Sequence, residues 1–295
     1  MIHKIYLPFS DKILRKYFIE GENSGDPEKH IRKFKESANN YIKKTTSSVK
    51  INNQIEKDET FWTASTLINI FESSNRDTEI ISILNKAFGN KPPISCFKSW
   101  NECLPKEHDN LKMYFEANYP SPKDYCKWLS KNISKQTFIP YLYKKAISHK
   151  KRKLEGPTNV DCIIINTENG FSIMIEAKVL SDISYGVKYD CQRNQIIRNI
   201  DIMREEYSNL HDDLNKKDPN KTLFMLLTPR IFKEEPHHRL YGFKYEEYKK
   251  DFSSIQRDLP HRNLSSNDLL DISNRIGWVT WEDFKEINNE CCKWL

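Results

Sequence analysis

Hydrophobic positions recur at helical spacing through the first part of the chain and at strand spacing after residue 155. Within residues 60–71, Phe61, Ala64, Leu67, Ile68 and Phe71 share one stripe of a 3.6-residue period, which predicts an amphipathic helix. Ile80, Ile83, Leu84, Ala87 and Phe88 repeat the pattern, and Gly89 followed by Pro92 and Pro93 predicts its end. Ser121-Pro122-Lys123-Asp124 carries a capping residue, then a proline at the first helical position, then an acid in the first turn. A helix opening there turns Tyr125, Trp128, Leu129 and Ile133 inward. The first 110 residues are therefore expected to be mostly helical and polar.

The period then changes. Residues 160–166 and 171–179 are short, apolar, β-branched runs, and Asn169-Gly170 between them predicts a hairpin closed by a two-residue turn. Residues 190–210 read as a helix with Ile196, Ile197, Ile200, Met203 and Tyr207 on its apolar stripe. Residues 223–229 are continuously apolar, as in a strand buried on both faces. A helix between a hairpin strand and a buried strand predicts a β-α-β crossover and a mixed sheet. Gly277-Trp278-Val279 reads as one more strand, and Thr280-Trp281-Glu282-Asp283 has the spacing of a capping box that opens a last helix through Phe284 and Ile287. The expected fold class is α/β, a mixed sheet flanked by helices. The expected division is a mostly helical N-terminal region, 1–125, and a sheet-bearing domain, 126–295.

Composition narrows the function classes. The 295 residues suffice for one large domain or two ordinary ones, and 6 Trp, 14 Tyr and 15 Phe supply a core despite an apolar fraction of 38%. No apolar run approaches the ~18 residues of a membrane span. Met1-Ile2-His3-Lys4-Ile5-Tyr6 lacks the apolar segment of a signal peptide. Seven Cys, an odd number with no C-x-x-C pair, read as reduced thiols of a cytoplasmic protein. Only 8 Gly are present, and no G-x-G-x-x-G, P-loop, G-x-S-x-G or H-E-x-x-H occurs, so nucleotide-cradling loops and zincin chemistry drop out. The net charge of +6 permits a polyanionic partner. His237-His238 follows Pro236 with no acid or Cys at ligand spacing and reads as a surface turn.

The informative chemistry lies in the hairpin. Asp161 begins the first strand, while Glu176 and Lys178 interrupt an otherwise apolar second strand. With a two-residue turn, Glu168 pairs with Phe171, which sets Asp161 opposite Lys178 and Glu176 opposite Ile163. Opposed residues share a face, as do residues two apart on one strand. Asp161, Glu176 and Lys178 are thus expected on one face, within roughly 5–8 Å of each other. Two carboxylates so close repel unless a cation joins them, and hard oxygen ligands suit Mg²⁺, with Mn²⁺ as a substitute. Such an ion lowers the pKa of a bound water and polarises a phosphoryl oxygen, while the lysine stabilises developing charge. This is equipment for phosphodiester hydrolysis. The competing reading is a salt bridge on a solvated sheet face.

Asp161, fourteen intervening residues, then Glu176-Ala177-Lys178 resembles the signature of the PD-(D/E)XK nuclease superfamily, which includes restriction endonucleases, Holliday-junction resolvases and phage-type exonucleases. The resemblance covers about residues 130–230 and implies a restriction-endonuclease-like core in α-β-β-β-α-β order. It implies that Asp161 and Glu176 hold the metal and that Lys178 serves the nucleophile. Many members place a Gln on the helix after the Lys strand; Gln195 takes that role here, with Gln192 as the alternative one turn earlier. Many add an acid on a helix before the first strand, for which Glu116 and Glu155 are candidates, neither well placed. Val160 stands where family members often have Pro.

The function expected from these residues is Mg²⁺-dependent hydrolysis of DNA, as an endonuclease rather than an exonuclease, in restriction, phage defence or repair. The N-terminal region would supply specificity, or the surface for a partner protein or second copy. No membrane partner is expected. The basic run ending in Lys151, Arg152 and Lys153, together with Arg193 and Arg198, are candidate nucleic-acid contacts. The alternative function is a catalytically silent nucleic-acid-binding or interaction module on the same fold.

Overall fold

A computed structural model describes residues 9–18, 28, 31, 32, 58–150, 154–184 and 186–295. Helices α1 (Asp11–Lys16), α2 (Glu59–Phe71), α3 (Arg76–Phe88) and α4 (Trp100–Cys103) precede strand β1 (Leu111–Tyr119). Helices α5 (Lys123–Gln136) and α6 (Pro140–Ser148) lead into the hairpin of β2 (Thr158–Asn166) and β3 (Ser172–Ala177). Helices α7 (Gln195–Met203) and α8 (Asp212–Asn215) carry the chain to β4 (Thr222–Thr228). Helices α9 (Arg230–Glu234), α10 (Leu240–Lys250), α11 (Ser253–Asp258) and α12 (Ser266–Asn274) precede β5 (Ile276–Thr280) and α13 (Trp281–Ile287).

The strands form one mixed sheet in the order β1-β2-β3-β4-β5. The first three are antiparallel neighbours, and β3, β4 and β5 run parallel. The fold is thus mixed α/β with a helix-flanked sheet, and α7 lies in the crossover between β3 and β4. All seven residues of β4 are buried, as its unbroken apolar run requires of a strand covered on both faces. The capping box at Thr280 and Asp283 is present and starts α13.

Helices α2 and α3 cover one face of the sheet, where Leu67, Ile68 and Leu84 share a core with Ile164, Ile173 and Met225. Helix α7 covers the other, packing Ile196, Ile197 and Ile200 with Ile163, Met174 and Phe224. Beneath α5 and α6 a smaller cluster joins Tyr125, Leu129, Ile133 and Ala146 to Leu154 and Tyr189. β1 precedes the boundary expected at residue 125 and β2 follows it, yet they pair along Leu111–Tyr119. One sheet therefore unites the two regions.

The hairpin register differs from the expected one by two residues. Cys162 pairs with Ile175 and Ile165 with Ser172, and the Asn166 N–H still donates to Phe171 O at 2.8 Å. The connection is the four residues 167–170, with Gly170 at φ +79°. Glu168 does not pair with Phe171 because the turn before β1 claims it. Its carboxylate accepts from the N–H groups of Lys106 and Glu107 and from the Asn110 amide. An even shift preserves the parity of every side chain. The next position outward sets Asp161 opposite Glu176, rather than opposite Lys178.

Two helix starts also move. α7 begins at Gln195, because Asn194 caps it by accepting from the Ile197 N–H at 3.0 Å. It ends at Met203, short of Tyr207. α5 begins at Lys123 with Pro122 in the capping position, while the Ser121 hydroxyl donates to Gly156 O.

Candidate active site

Asp161 on β2, Glu176 at the end of β3, Lys178 just beyond it and Gln195 at the start of α7 are brought together. Lys178 Nζ donates to Glu176 Oε1 at 2.6 Å and to Ala177 O at 3.1 Å. Gln195 Nε2 donates to the same Glu176 oxygen at 2.5 Å, and Asn199 Nδ2 donates to Glu176 Oε2 at 3.0 Å. Asp161 Oδ2 accepts from the Ala177 N–H at 2.8 Å across the strand pair. Glu176 is fully buried and Lys178 is 5% exposed, while Asp161 is only partly covered.

Electrostatics follow from burial and crowding. Burial pushes the Asp161 carboxyl well above the usual carboxylate range, and the neighbouring Glu176 charge pushes it further; Lys178 and the Ala177 N–H offset part of this. Burial also raises Glu176, against the pull of the Lys178 ammonium and the Asn199 amide. Burial alone would depress Lys178, but the charges of Glu176, Asp161 and Glu59 outweigh it and hold its pKa above the ordinary lysine value.

The orientation of Gln195 is set by a reciprocal pair with Ser184. The Ser184 N–H donates to the Gln195 side-chain oxygen at 3.3 Å, and the Gln195 N–H donates to Ser184 O at 3.0 Å. The amide nitrogen is thereby turned to Glu176. Gln192 is exposed, and its N–H is engaged by Asp190.

Glu59 was not among the residues singled out from the sequence. It is the first residue of α2, and its Oε2 lies 3.7 Å from Lys178 Nζ. Its Oε1 accepts from the Val179 N–H at 3.2 Å and from the Ser181 hydroxyl. An acid in a first helical turn is ordinary for dipole reasons, so its sequence carried no signal. Asn199 had one: it stands four residues from Gln195, on the same helical face.

Glu116 and Glu155 separate clearly. Glu116 lies on β1 across from Asp161, between the pairs Phe115–Cys162 and Ala117–Val160. Its φ of +54° turns the strand locally, its carboxylate accepts from the Asn159 amide, and its charge adds to the rise at Asp161. Glu155 is consumed by two arginines, at 3.0 Å from Arg193 and 2.9 Å from Arg198.

Arg193 is 2% exposed. It reaches Asp201 at 2.7 Å and stacks 3.5 Å over the Tyr125 ring, so the residue expected to touch phosphate instead ties α5 to α7. Arg198 is partly exposed and also donates to the carbonyls of Gly156 and Pro157. Lys151, Arg152 and Lys153 lie outside the described residues. His237 and His238 form a surface 3₁₀ turn, with His237 on Glu246.

An open cleft of about 790 Å³ adjoins this constellation, walled by Ser184, Arg198, Glu155, His149, Lys188 and Tyr189. Asp161, Glu176 and Lys178 are not among its walls; Gln195 stands between them and Ser184. Among the described residues, no three His, Cys, Asp or Glu side chains surround a common point as a ready metal cage. The donor set still fits a hard divalent cation. Asp161 and Glu176 are neighbouring carboxylates, the Glu176 charge adds to the rise at Asp161, and a cation shared between them would relieve that cost. No helix among the described residues is long and apolar enough to cross a membrane.

Comparison with known proteins places no relative beside this chain: no family model, no curated protein and no solved structure matches it.

Proposed function

We propose that this chain is a metal-dependent nuclease that hydrolyses DNA phosphodiester bonds, built on a restriction-endonuclease-like core. One observation carries the reading: Asp161, Glu176 and Lys178 converge on one sheet face, with Gln195 aimed at Glu176. The core order supports it: with α3 and α4 inserted before β1, α5 and α6 between β1 and β2, and α8 before β4, the elements α2, β1, β2, β3, α7 and β4 follow the helix-strand-strand-strand-helix-strand order of the resembled superfamily. Asp161 and Glu176 would hold Mg²⁺, which when bound supplies a more acidic water and neutralises phosphate charge. Lys178, kept protonated by three carboxylates, supplies a fixed positive charge for the developing phosphorane. Gln195 and Asn199 orient the Glu176 carboxylate and keep both its oxygens in place. Glu59 acts through Lys178, anchoring its ammonium from the α2 side.

The second reading, a catalytically silent module on the same fold, has its own support. Glu176 is fully buried and both its oxygens already accept hydrogen bonds, as in a purely structural ion pair. One experiment separates them: purified protein incubated with plasmid, linear and single-stranded DNA, with Mn²⁺ and with EDTA. Cleavage in Mn²⁺ that EDTA stops and Lys178→Ala loses supports the nuclease. Binding without cleavage in any metal supports the silent module.

A further inference from the structure

Helix α6 carries apolar side chains on the wrong side for a helix that only packs. Ala146 is buried, and Leu142 and Tyr143 pack partly against the Tyr125–Leu129 cluster. On the outside of α6, Tyr141 is 67% exposed and Ile147 is uncovered, and just before the helix Phe138 is 80% exposed and Ile139 uncovered. Isolated exposed apolar residues are ordinary, but two uncovered rings three residues apart mark a surface that meets something.

What surrounds them is basic. Lys144 is exposed and Lys145 half-buried, three and four residues from Tyr141, hence on its side of the helix. His149 and Lys150 follow at the helix end, both exposed. α6 itself, Pro140–Ser148, contains no acidic residue. The end of α6 also reaches the cleft beside the candidate active site. His149, which ends α6, is a wall of the 790 Å³ cleft, together with Lys188 and Arg198. Ser184, which also lines the cleft, holds Gln195. Glu155, the acid in this cleft, is neutralised by Arg193 and Arg198.

We propose that Phe138, Tyr141 and the lysines of α6 form a stacking platform for unpaired nucleobases, leading a single-stranded segment of nucleic acid into the cleft beside Gln195. The proposal rests on the nuclease reading and names its substrate class, nucleic acid with unpaired bases. The choice follows from chemistry. A ring face exposed beside ammonium groups matches a base with its phosphate, whereas bases in a duplex are already stacked and offer no face. Lysines beside the rings track the backbone without reading sequence.

The test uses the full chain in EDTA, so that binding is measured without cleavage. A fluorescently labelled thymidine oligonucleotide, and the same strand paired with oligo-adenine, are titrated and followed by anisotropy. The parent is expected to prefer the single strand. Phe138→Ala and Tyr141→Ala should each weaken single-strand binding on the order of 10-fold while leaving duplex binding and the melting temperature almost unchanged. Lys144→Gln should weaken both forms and flatten the salt dependence. Equal parent affinity for the two forms, or single-strand affinity unmoved in a variant carrying both Phe138→Ala and Tyr141→Ala, overturns the proposal. So does tighter binding to phosphatidylserine vesicles than to the oligonucleotide, or a dimer in sedimentation velocity that Tyr141→Asp disperses. Cleavage that survives Lys178→Ala would instead sink the nuclease reading and leave this binding result standing.

Discussion

The carboxylate of Glu59 lies 3.7 Å from the ammonium of Lys178, joining the first turn of α2 to the end of β3. The same carboxylate accepts from the Val179 N–H and the Ser181 hydroxyl, so it holds the chain as β3 leaves the sheet. Glu59→Gln keeps an oxygen for those two donors and removes the charge. Its expected loss of stability in urea unfolding is below about 1 kcal/mol, whereas Glu59→Ala loses the anchor and should cost about 1–3 kcal/mol. Both variants should cleave more slowly, because Lys178 loses one of its restraints. An alanine variant as stable as the glutamine one would mean that the anchor contributes nothing.

Lys178→Ala is expected to abolish cleavage, by a factor of about 10²–10³ or more. The substitution also bears on the fold, because Lys178 pairs with a fully buried Glu176. Removing one partner of such a pair costs on the order of 3–5 kcal/mol, and the Gln195 and Asn199 donors favour the lower end. Lys178→Gln therefore makes a necessary companion, since it can still donate to Glu176. Loss of cleavage in a glutamine variant that melts near the parent separates chemistry from folding.

Much of the fold was legible because local pattern and tertiary demand agree. β4 reads as buried because both its neighbours and both its faces are covered, and α13 announces itself by its capping box. Among the described strands β1 has the clearest alternation, buried at Leu111, Met113, Phe115, Ala117 and Tyr119, yet it falls within the region whose pattern predicts mostly helix. The hairpin loop misled for a different reason. Asn169-Gly170 favours a two-residue turn locally, but Glu168 is drawn away by Lys106, Glu107 and Asn110, partners that no hairpin rule contains. The expectation that Asp161 and Glu176 share a face does not depend on the error, since a two-residue slip keeps every side chain on its face. Glu59 and the burial of Arg193 were beyond reach, as both depend on contacts between segments far apart in sequence.

Gly170 offers a test of that loop. At φ +79°, an added Cβ would stand 2.9 Å from both Asp218 Cβ and Lys216 O. The left-handed conformation alone costs a non-glycine residue roughly 1–2 kcal/mol, and the backbone oxygen cannot swing aside as a side chain would. Gly170→Ala should lose at least about 2 kcal/mol in denaturant unfolding. A neutral outcome would show that the loop relaxes to another turn and that the register is less firmly held than the pairing suggests.

Asp161→Asn tests the electrostatics and the metal in one variant. In the folded chain the Asp161 and Glu176 carboxyls titrate above their ordinary values, so the native state binds these protons more tightly than the unfolded state does. The sign follows: above their folded pKa values, where both are ionised, they cost stability, and the cost disappears as pH falls through those values. Each unit of elevation corresponds to about 1.4 kcal/mol. Asp161→Asn removes one charge while an amide oxygen still accepts from the Ala177 N–H. Without metal it should melt above the parent at pH 8, and this advantage should shrink steadily towards pH ~4, where the parent carboxyl carries its own proton. Mn²⁺ should reverse the order at pH 8, raising the parent melting temperature and leaving the variant nearly unmoved, because stabilisation by mass action requires the ligand pair. A gap that ignores pH would refute the repulsion between Asp161 and Glu176, and equal stabilisation of both proteins by Mn²⁺ would remove Asp161 from the metal site.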